Sequence, residues 1–145
     1  MRGVVTILPE IWSRPNRNVG AQRLNRRAGA VGGTMKVYIG IRSADGNAFV
    51  QVEAPGKPGR LLAPRTDLFK HSMSGLDWGY SGSGPKQCAL AVVADALGDD
   101  MRALRVHGGF HFYVIAALPR HLPWRLTDAQ VTELVAEIEQ NAVVG

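Results

Sequence analysis

The sequence has only one cysteine in 145 residues, Cys88, so the chain cannot form an internal disulfide bond. The lack of disulfides fits a reducing compartment, and we expect the protein to reside in the cytoplasm. Cys88 lies within an apolar stretch, where a free cysteine usually behaves as a small hydrophobic side chain.

The sequence also lacks an apolar run long enough to cross a bilayer. A spanning helix needs roughly 20 apolar residues, and the apolar stretch within residues 85–97 is shorter than that. Residues 4–8 are too few for a secretory apolar region, and no clear cleavage site follows them. The sequence therefore predicts neither a membrane-spanning segment nor export.

Most of the chain lacks an excess of charge of either sign. Residues 35–145 hold 11 basic and 11 acidic side chains, whereas residues 1–34 hold six arginines and one glutamate. This basic leader has Pro, Gly and Asn at short intervals and no hydrophobic period, which predicts disorder. Three interpretations stay open: a misassigned start with Met35 as the true first residue, which we favour, an arm that binds nucleic acid phosphates, or an organelle transit peptide. The neutral remainder gives no comparable reason to expect nucleic acid.

The patterns in residues 35–145 predict a single α+β domain. Residues 36–42 and 47–53 alternate between two faces on either side of the turn signal Asp45-Gly46, which predicts a β-hairpin near the start of the domain. Thr127 and Gln130 have the spacing of a capping box, and the apolar residues that follow predict a C-terminal amphipathic helix. We expect a mainly antiparallel sheet with this helix and a buried central helix on one face.

The central helix is predicted from residues 85–97, where only three side chains are polar. A helix that is apolar on all sides is a buried helix. Pro85 suits the first helical position, with Gly84 or Ser83 as the cap, and Gly98 suits the left-handed position just after the end.

The segment between the two helices predicts a second, short helix followed by a strand. Asp99 is suited to cap a helix that ends at Gly108-Gly109. Residues 110–117 are apolar on both faces, which is typical of an inner strand.

The turn before the central helix holds the candidate binding residues. Glycines 79, 82 and 84 permit positive φ angles, and the free N–H groups and dipole of a helix start favour a phosphate there. A lysine in the first turn opposes the dipole unless an anion lies nearby. Aromatic side chains in the same turn are suited to anchor a protein partner if they are exposed, or to the core if they are not. The candidate residues are His71, Trp78, Tyr80, Ser81, Ser83, Gly84 and Lys86.

Neither this turn nor the spacing of the histidines matches a known catalytic or metal-binding motif. Lys86 is one place late for a P-loop and no Ser or Thr follows it, and Ser83 replaces the last glycine of a nucleophile elbow. His107 and His111 are four residues apart, but the glycines and predicted strand between and after them argue against a shared helix face. No nearby third ligand completes a zinc set, so we predict no metal and no cofactor.

Residues 71–93 form the central string HSMSGLDWGYSGSGPKQCALAVV. This string is similar to the signature HSxxGFxWGYGGSGPxQLALAIL, which we associate with a small family of bacterial and phage proteins of unknown function. Leu76, Ser81 and Cys88 depart from it, since they replace Phe, Gly and Leu. The similarity extends from Met35 to the C-terminus, and it implies a small stand-alone protein without implying an activity. Matching residues outside the string are Phe110, Phe112, Trp124, Leu126 and Thr127.

Three functions follow as hypotheses. The first is a non-catalytic binding or interaction module whose surface is the turn formed by residues 78–86. The second is binding of a phosphate-bearing small molecule at the start of the central helix. The third is a hydrolase that uses His71 and a serine of the turn, because base and nucleophile residue types lie close together there.

Overall fold

A computed structural model of the protein describes residues 35–144, with side chains as far as residue 141. The expectations about residues 1–34 fall outside these residues. The described part is an α+β fold, as the sequence predicts, with four strands and three α-helices. These are β1 (Val37–Arg42), β2 (Ala48–Ala54), β3 (Lys57–Leu61), α1 (Ser83–Leu97), α2 (Asp100–Phe110), β4 (Trp124–Thr127) and α3 (Asp128–Val144).

The strands form one antiparallel sheet in the order β3-β2-β1-β4. The predicted hairpin is present, because β1 and β2 pair in register from Val37 opposite Glu53 to Arg42 opposite Ala48. Strand β4 was not predicted, since four residues are too few to show an alternating pattern. The side chains on the buried face are Tyr38, Val50, Val52, Trp124 and Leu126.

Helix α1 is the buried centre of the fold, as predicted, with residues 88–94 almost wholly inaccessible. It begins at Ser83, so Pro85 occupies the third helical position and not the first. Gly82 is the N-cap and provides no side-chain cap, which corrects the prediction of a Gly84 or Ser83 cap. The missing N–H of Pro85 still costs nothing, because first-turn N–H groups have no partner within the helix. Gly98 adopts the predicted left-handed conformation, with φ of 64°.

The predicted end of α2 at Gly108-Gly109 and the predicted strand over residues 110–117 are both wrong. Helix α2 starts as expected, since the Asp99 carboxylate accepts a hydrogen bond from Arg102 N at 3.0 Å. It then continues through both glycines into a π-helical turn, His111–Ile115. The buried residues Phe110, Val114 and Ile115 have helical spacing. The sequence does not reveal this spacing, because the neighbouring side chains are apolar as well.

Gly109 serves helix packing and does not end the helix. A Cβ atom at this position would lie 2.7 Å from Ile138 Cγ2 of α3, so only glycine lets the two helices come this close. Beside this contact, Arg102 Nε and Nη2 each donate to the Glu139 carboxylate at 2.8 Å.

Helix α3 begins with the predicted capping box. Thr127 Oγ1 accepts from Gln130 N at 3.0 Å, and Gln130 Oε1 accepts from Thr127 N at 2.9 Å. Its buried face consists of Val131, Leu134, Val135 and Ile138, as expected for an amphipathic helix. Within residues 35–144, no helix combines the length and hydrophobicity that crossing a membrane requires.

Candidate functional site

The turn before α1 is fixed to β1 by the carboxylate of Asp77. This carboxylate accepts hydrogen bonds from Arg42 Nη2 at 2.7 Å, from the backbone N–H of Trp78 at 2.9 Å and from the Tyr80 hydroxyl at 3.0 Å. Burial raises the pKa of Asp77, but these hydrogen bonds together lower it by more, so the pKa lies below the ordinary aspartate value. Asp77 therefore stays ionised and acts as a structural anion.

Gly79 is the one glycine of the predicted three that has a positive φ, at 88°. A Cβ atom there would lie 2.7 Å from Arg120 Cα, and Gly79 N donates to Ile115 O at 3.1 Å. Gly82 is extended, with φ of 177°, and Gly84 lies within α1. The turn therefore packs against the chain that follows the π-helical turn, and glycine is required at residue 79.

The structure buries two of the predicted binding residues, Trp78 and Gly84. Trp78 is fully buried, where its ring meets Trp124 edge to face at 5.4 Å, so it cannot form an exposed platform. Gly84 is also buried, because a Cβ atom there would lie 2.8 Å from Asp77 Cβ. The predicted residues that reach solvent are His71, Tyr80, Ser81, Ser83 and Lys86.

Three histidines make contacts beside α1, one from the preceding loop, His71, and two from α2 and the π-helical turn, His107 and His111. His71 Nε2 and His107 Nε2 are 2.9 Å apart, and His111 Nε2 accepts a weak hydrogen bond from Gly82 N at 3.4 Å. Because α2 continues into the π-helical turn, His107 and His111 do share one helical face, which corrects the prediction that they do not. Together with Lys86 these histidines are called the histidine–lysine cluster.

Buried Gln87 of α1 holds the loop that carries His71. Its Oε1 accepts from His71 N at 2.6 Å and from Ser72 N at 3.1 Å. Its Nε2 donates to Pro64 O at 2.7 Å and to Phe69 O at 2.9 Å. One side chain thus fixes His71 relative to the helix that bears Lys86.

The histidine–lysine cluster disfavours additional positive charge. Burial lowers the pKa of His71, and the charges of His107, Lys86 and His111 lower it further. Burial also lowers the pKa of His111, with further contributions from Lys86 and His107. Because the members repel one another when charged, a nearby anion would reduce this repulsion.

The alternative chemistries raised by the sequence involve the same neighbourhood. Among residues 35–144, no three His, Cys, Asp or Glu side chains are arranged to hold a metal ion. Cys88 is buried, and burial raises the pKa of its thiol far above the usual value. In this part of the chain, His71 Nε2 lies 2.9 Å from His107 Nε2, and no hydrogen bond joins a ring nitrogen of His71 to a serine hydroxyl.

Sequence reasoning found His71 and Lys86 but did not connect them with His107 and His111. The available signal was the four-residue spacing of His107 and His111, which places two side chains on one face of a helix. The two intervening glycines masked this signal, because glycine usually weakens or ends a helix.

These contacts define a small α+β domain in which a glycine-rich turn leads into a buried helix beside a cluster of histidines. The chain belongs to the family described as "Family of unknown function (DUF6166)", whose model matches residues 38–137. The predicted resemblance to a family of unknown function is therefore confirmed. No curated protein and no solved structure matches the chain.

Proposed function

We propose that this protein is a small non-catalytic binding module that holds a phosphate-bearing small molecule at the histidine–lysine cluster. The observation that carries the proposal is the contact of His71 with His107 and of His111 with Gly82, the N-cap of the helix that bears Lys86. Hydrogen bonds from charged donors to phosphate are among the stronger polar interactions in proteins.

The start of α1 adds donors to this cluster. Ser83 is exposed and occupies the first helical position, where a backbone N–H has no partner within the helix. The hydroxyl of exposed Ser81 lies in the same turn. The helix dipole further favours negative charge at this end of α1.

The first sequence hypothesis, a protein-interaction surface over residues 78–86, has less support. Its largest intended contact, Trp78, lies in the core. Tyr80 is only half-buried, but its ring is covered on one side by Arg120, whose guanidinium lies 4.6 Å from the ring centroid. Binding of a small anion does not depend on contact with either aromatic ring. The geometry therefore favours the second hypothesis, a phosphate-bearing small molecule at the start of α1.

The test is titration of the full chain with inorganic phosphate at pH 7 and constant ionic strength, followed by calorimetry and thermal unfolding. At a phosphate concentration 100 times Kd, binding stabilises the fold by about 2.7 kcal/mol. Lys86→Ala is expected to weaken binding about tenfold, since it removes a charged donor.

Lys57→Ala is the matched control, because Lys57 is an exposed lysine on β3. It is expected to bind phosphate like the unmodified chain. An unmodified chain whose Tm does not respond to phosphate, or an equal loss of affinity in both lysine variants, would contradict a specific anion site.

A further inference from the structure

The tautomers of His71 and His107 follow from their hydrogen bonds. His107 Nδ1 lies 2.9 Å from Leu104 O and 3.2 Å from Ala103 O, and carbonyl oxygens only accept, so Nδ1 carries a hydrogen. A neutral imidazole has one N–H, which leaves His107 Nε2 as an acceptor. His71 Nε2 therefore donates to His107 Nε2 across the 2.9 Å that separates them, and His71 Nδ1 is left without a hydrogen.

This arrangement has room for one additional proton. A proton added at His71 Nδ1 turns His71 into an imidazolium and leaves its Nε2 hydrogen bond to His107 intact. A second proton would have to enter between the two Nε2 atoms, where it would set two N–H groups against each other at 2.9 Å. The geometry of the pair therefore accommodates one added proton without loss of the hydrogen bond between the two rings.

The proton changes what His71 offers to an anion. In the neutral pair, His71 Nδ1 presents a lone pair, which repels the oxygen of a phosphate or sulfate. After protonation it presents an N–H donor and a positive charge. We infer that the His71–His107 pair is a one-proton switch that makes the anion affinity of the histidine–lysine cluster rise as pH falls, a regulation that rests on the proposed anion-binding function.

The groups around the pair support this coupling. Lys86 from α1 and His111 from the π-helical turn are the other titratable groups whose charges act on His71. Burial is the main cause that keeps the pKa of His71 below the usual histidine value, and the positive charges of His107, Lys86 and His111 lower it further. A bound anion would offset this repulsion, so the protonated form of His71 gains stability in the complex.

Position and rigidity also favour the coupling. The ring of His71 stacks on Phe69 at a centroid distance of 4.4 Å, and Gln87 fixes its backbone. The imidazole therefore already lies at the cluster when it gains its proton, and no prior movement of the loop is needed.

The experiment uses sulfate, because its charge does not change between about pH 5.5 and 8, whereas the second pKa of a phosphate group lies near 6. Sulfate affinity of the full chain is measured by calorimetry across this range at constant ionic strength. Uptake of one proton predicts an affinity that rises on acidification with a limiting slope of about tenfold per pH unit. In parallel, the NMR titration midpoint of His71 is expected to move to higher pH when sulfate is added.

His71→Gln is expected to bind sulfate with little dependence on pH, and His121→Gln, a variant of an exposed histidine outside the cluster, is expected to keep the full dependence. Sulfate affinity that is equal at all pH values, or an unmoved His71 midpoint, would overturn the switch and leave the anion site standing. Absence of sulfate binding at every pH would overturn both the switch and the proposed function. The NMR measurement needs no variant, so the inference stays testable if His71→Gln does not fold.

Discussion

Gln87 Oε1 accepts a hydrogen bond from the backbone N–H of His71 at 2.6 Å, which ties the loop of a surface imidazole to a wholly buried residue of α1. A polar side chain in a core is tolerated only when its donors and acceptors are paired. Gln87 meets this condition with four hydrogen bonds to the loop backbone, so its role is to position the loop.

Gln87→Ala is therefore expected to lower the free energy of unfolding by about 3 kcal/mol, because buried loop N–H and C=O groups lose their partners. Urea unfolding monitored by circular dichroism measures this loss. Gln140→Ala, at an exposed position of α3, is the control and is expected to change stability little. Equal stability of the two variants would show that the loop does not depend on Gln87.

The two adjacent glycines of α2 are expected to respond in opposite directions to alanine. Gly109→Ala places a methyl group 2.7 Å from Ile138 Cγ2 and is expected to cost about 2 kcal/mol. A methyl group at Gly108 meets no atom within 4 Å, so Gly108→Ala is expected to stabilise the helix by about 0.5 to 1 kcal/mol. Thermal unfolding of both variants measures these changes in stability. A destabilised Gly108→Ala variant would contradict a continuous helix through this point.

Alanine at Gly79 is expected to destabilise the turn for two reasons. The residue has φ of 88°, and a methyl group would meet the backbone of Arg120 at 2.7 Å. Together these effects predict a loss of about 3 kcal/mol. Gly46 has a similar φ of 92° but open space around it, so Gly46→Ala is expected to lose only about 1 kcal/mol. Similar losses in the two variants, measured by urea unfolding, would show that contact with Arg120 contributes nothing.

Asp95 is expected to make stability depend on acidic pH. Its carboxylate accepts from the Tyr38 hydroxyl at 2.7 Å, from Arg60 Nη2 at 2.9 Å and from Lys36 Nζ at 3.2 Å. Burial raises the pKa of Asp95, but these hydrogen bonds together lower it by more. The pKa of Asp95 in the folded protein therefore lies below its value in the unfolded chain. Charged Asp95 therefore stabilises the fold above about pH 3.9, and this stabilisation is lost as pH falls through the folded-state pKa.

The measurement compares the unmodified chain with Asp95→Asn by urea unfolding at several pH values. We expect Asp95→Asn to be less stable by about 2 kcal/mol near pH 7, and we expect the difference to shrink once Asp95 is protonated. Glu53→Gln changes an exposed carboxylate of β2 and serves as the control. A stability difference that stays constant down to about pH 2 would refute the assigned role of the charge.

Local sequence patterns predicted the elements whose hydrogen bonds are also local. The hairpin of β1 and β2 follows from strict alternation on both sides of a turn signal, and the start of α3 from the reciprocal bonds of Thr127 and Gln130. The predicted strand at residues 110–117 failed because apolar side chains on all sides fit a buried helix as well as a buried strand.

The sequence by itself determined the α+β class, the buried α1 and the proximity of His71 and Lys86 along the chain, because periodicity and spacing along the chain suffice for these features. Only the tertiary structure decided that Trp78 is core and that His107 and His111 join His71. The physical reason is that these outcomes depend on contacts between residues far apart in the chain, such as the close packing of α3 against Gly109 of α2. A sequence pattern within one segment does not indicate the shape of the segment that packs against it.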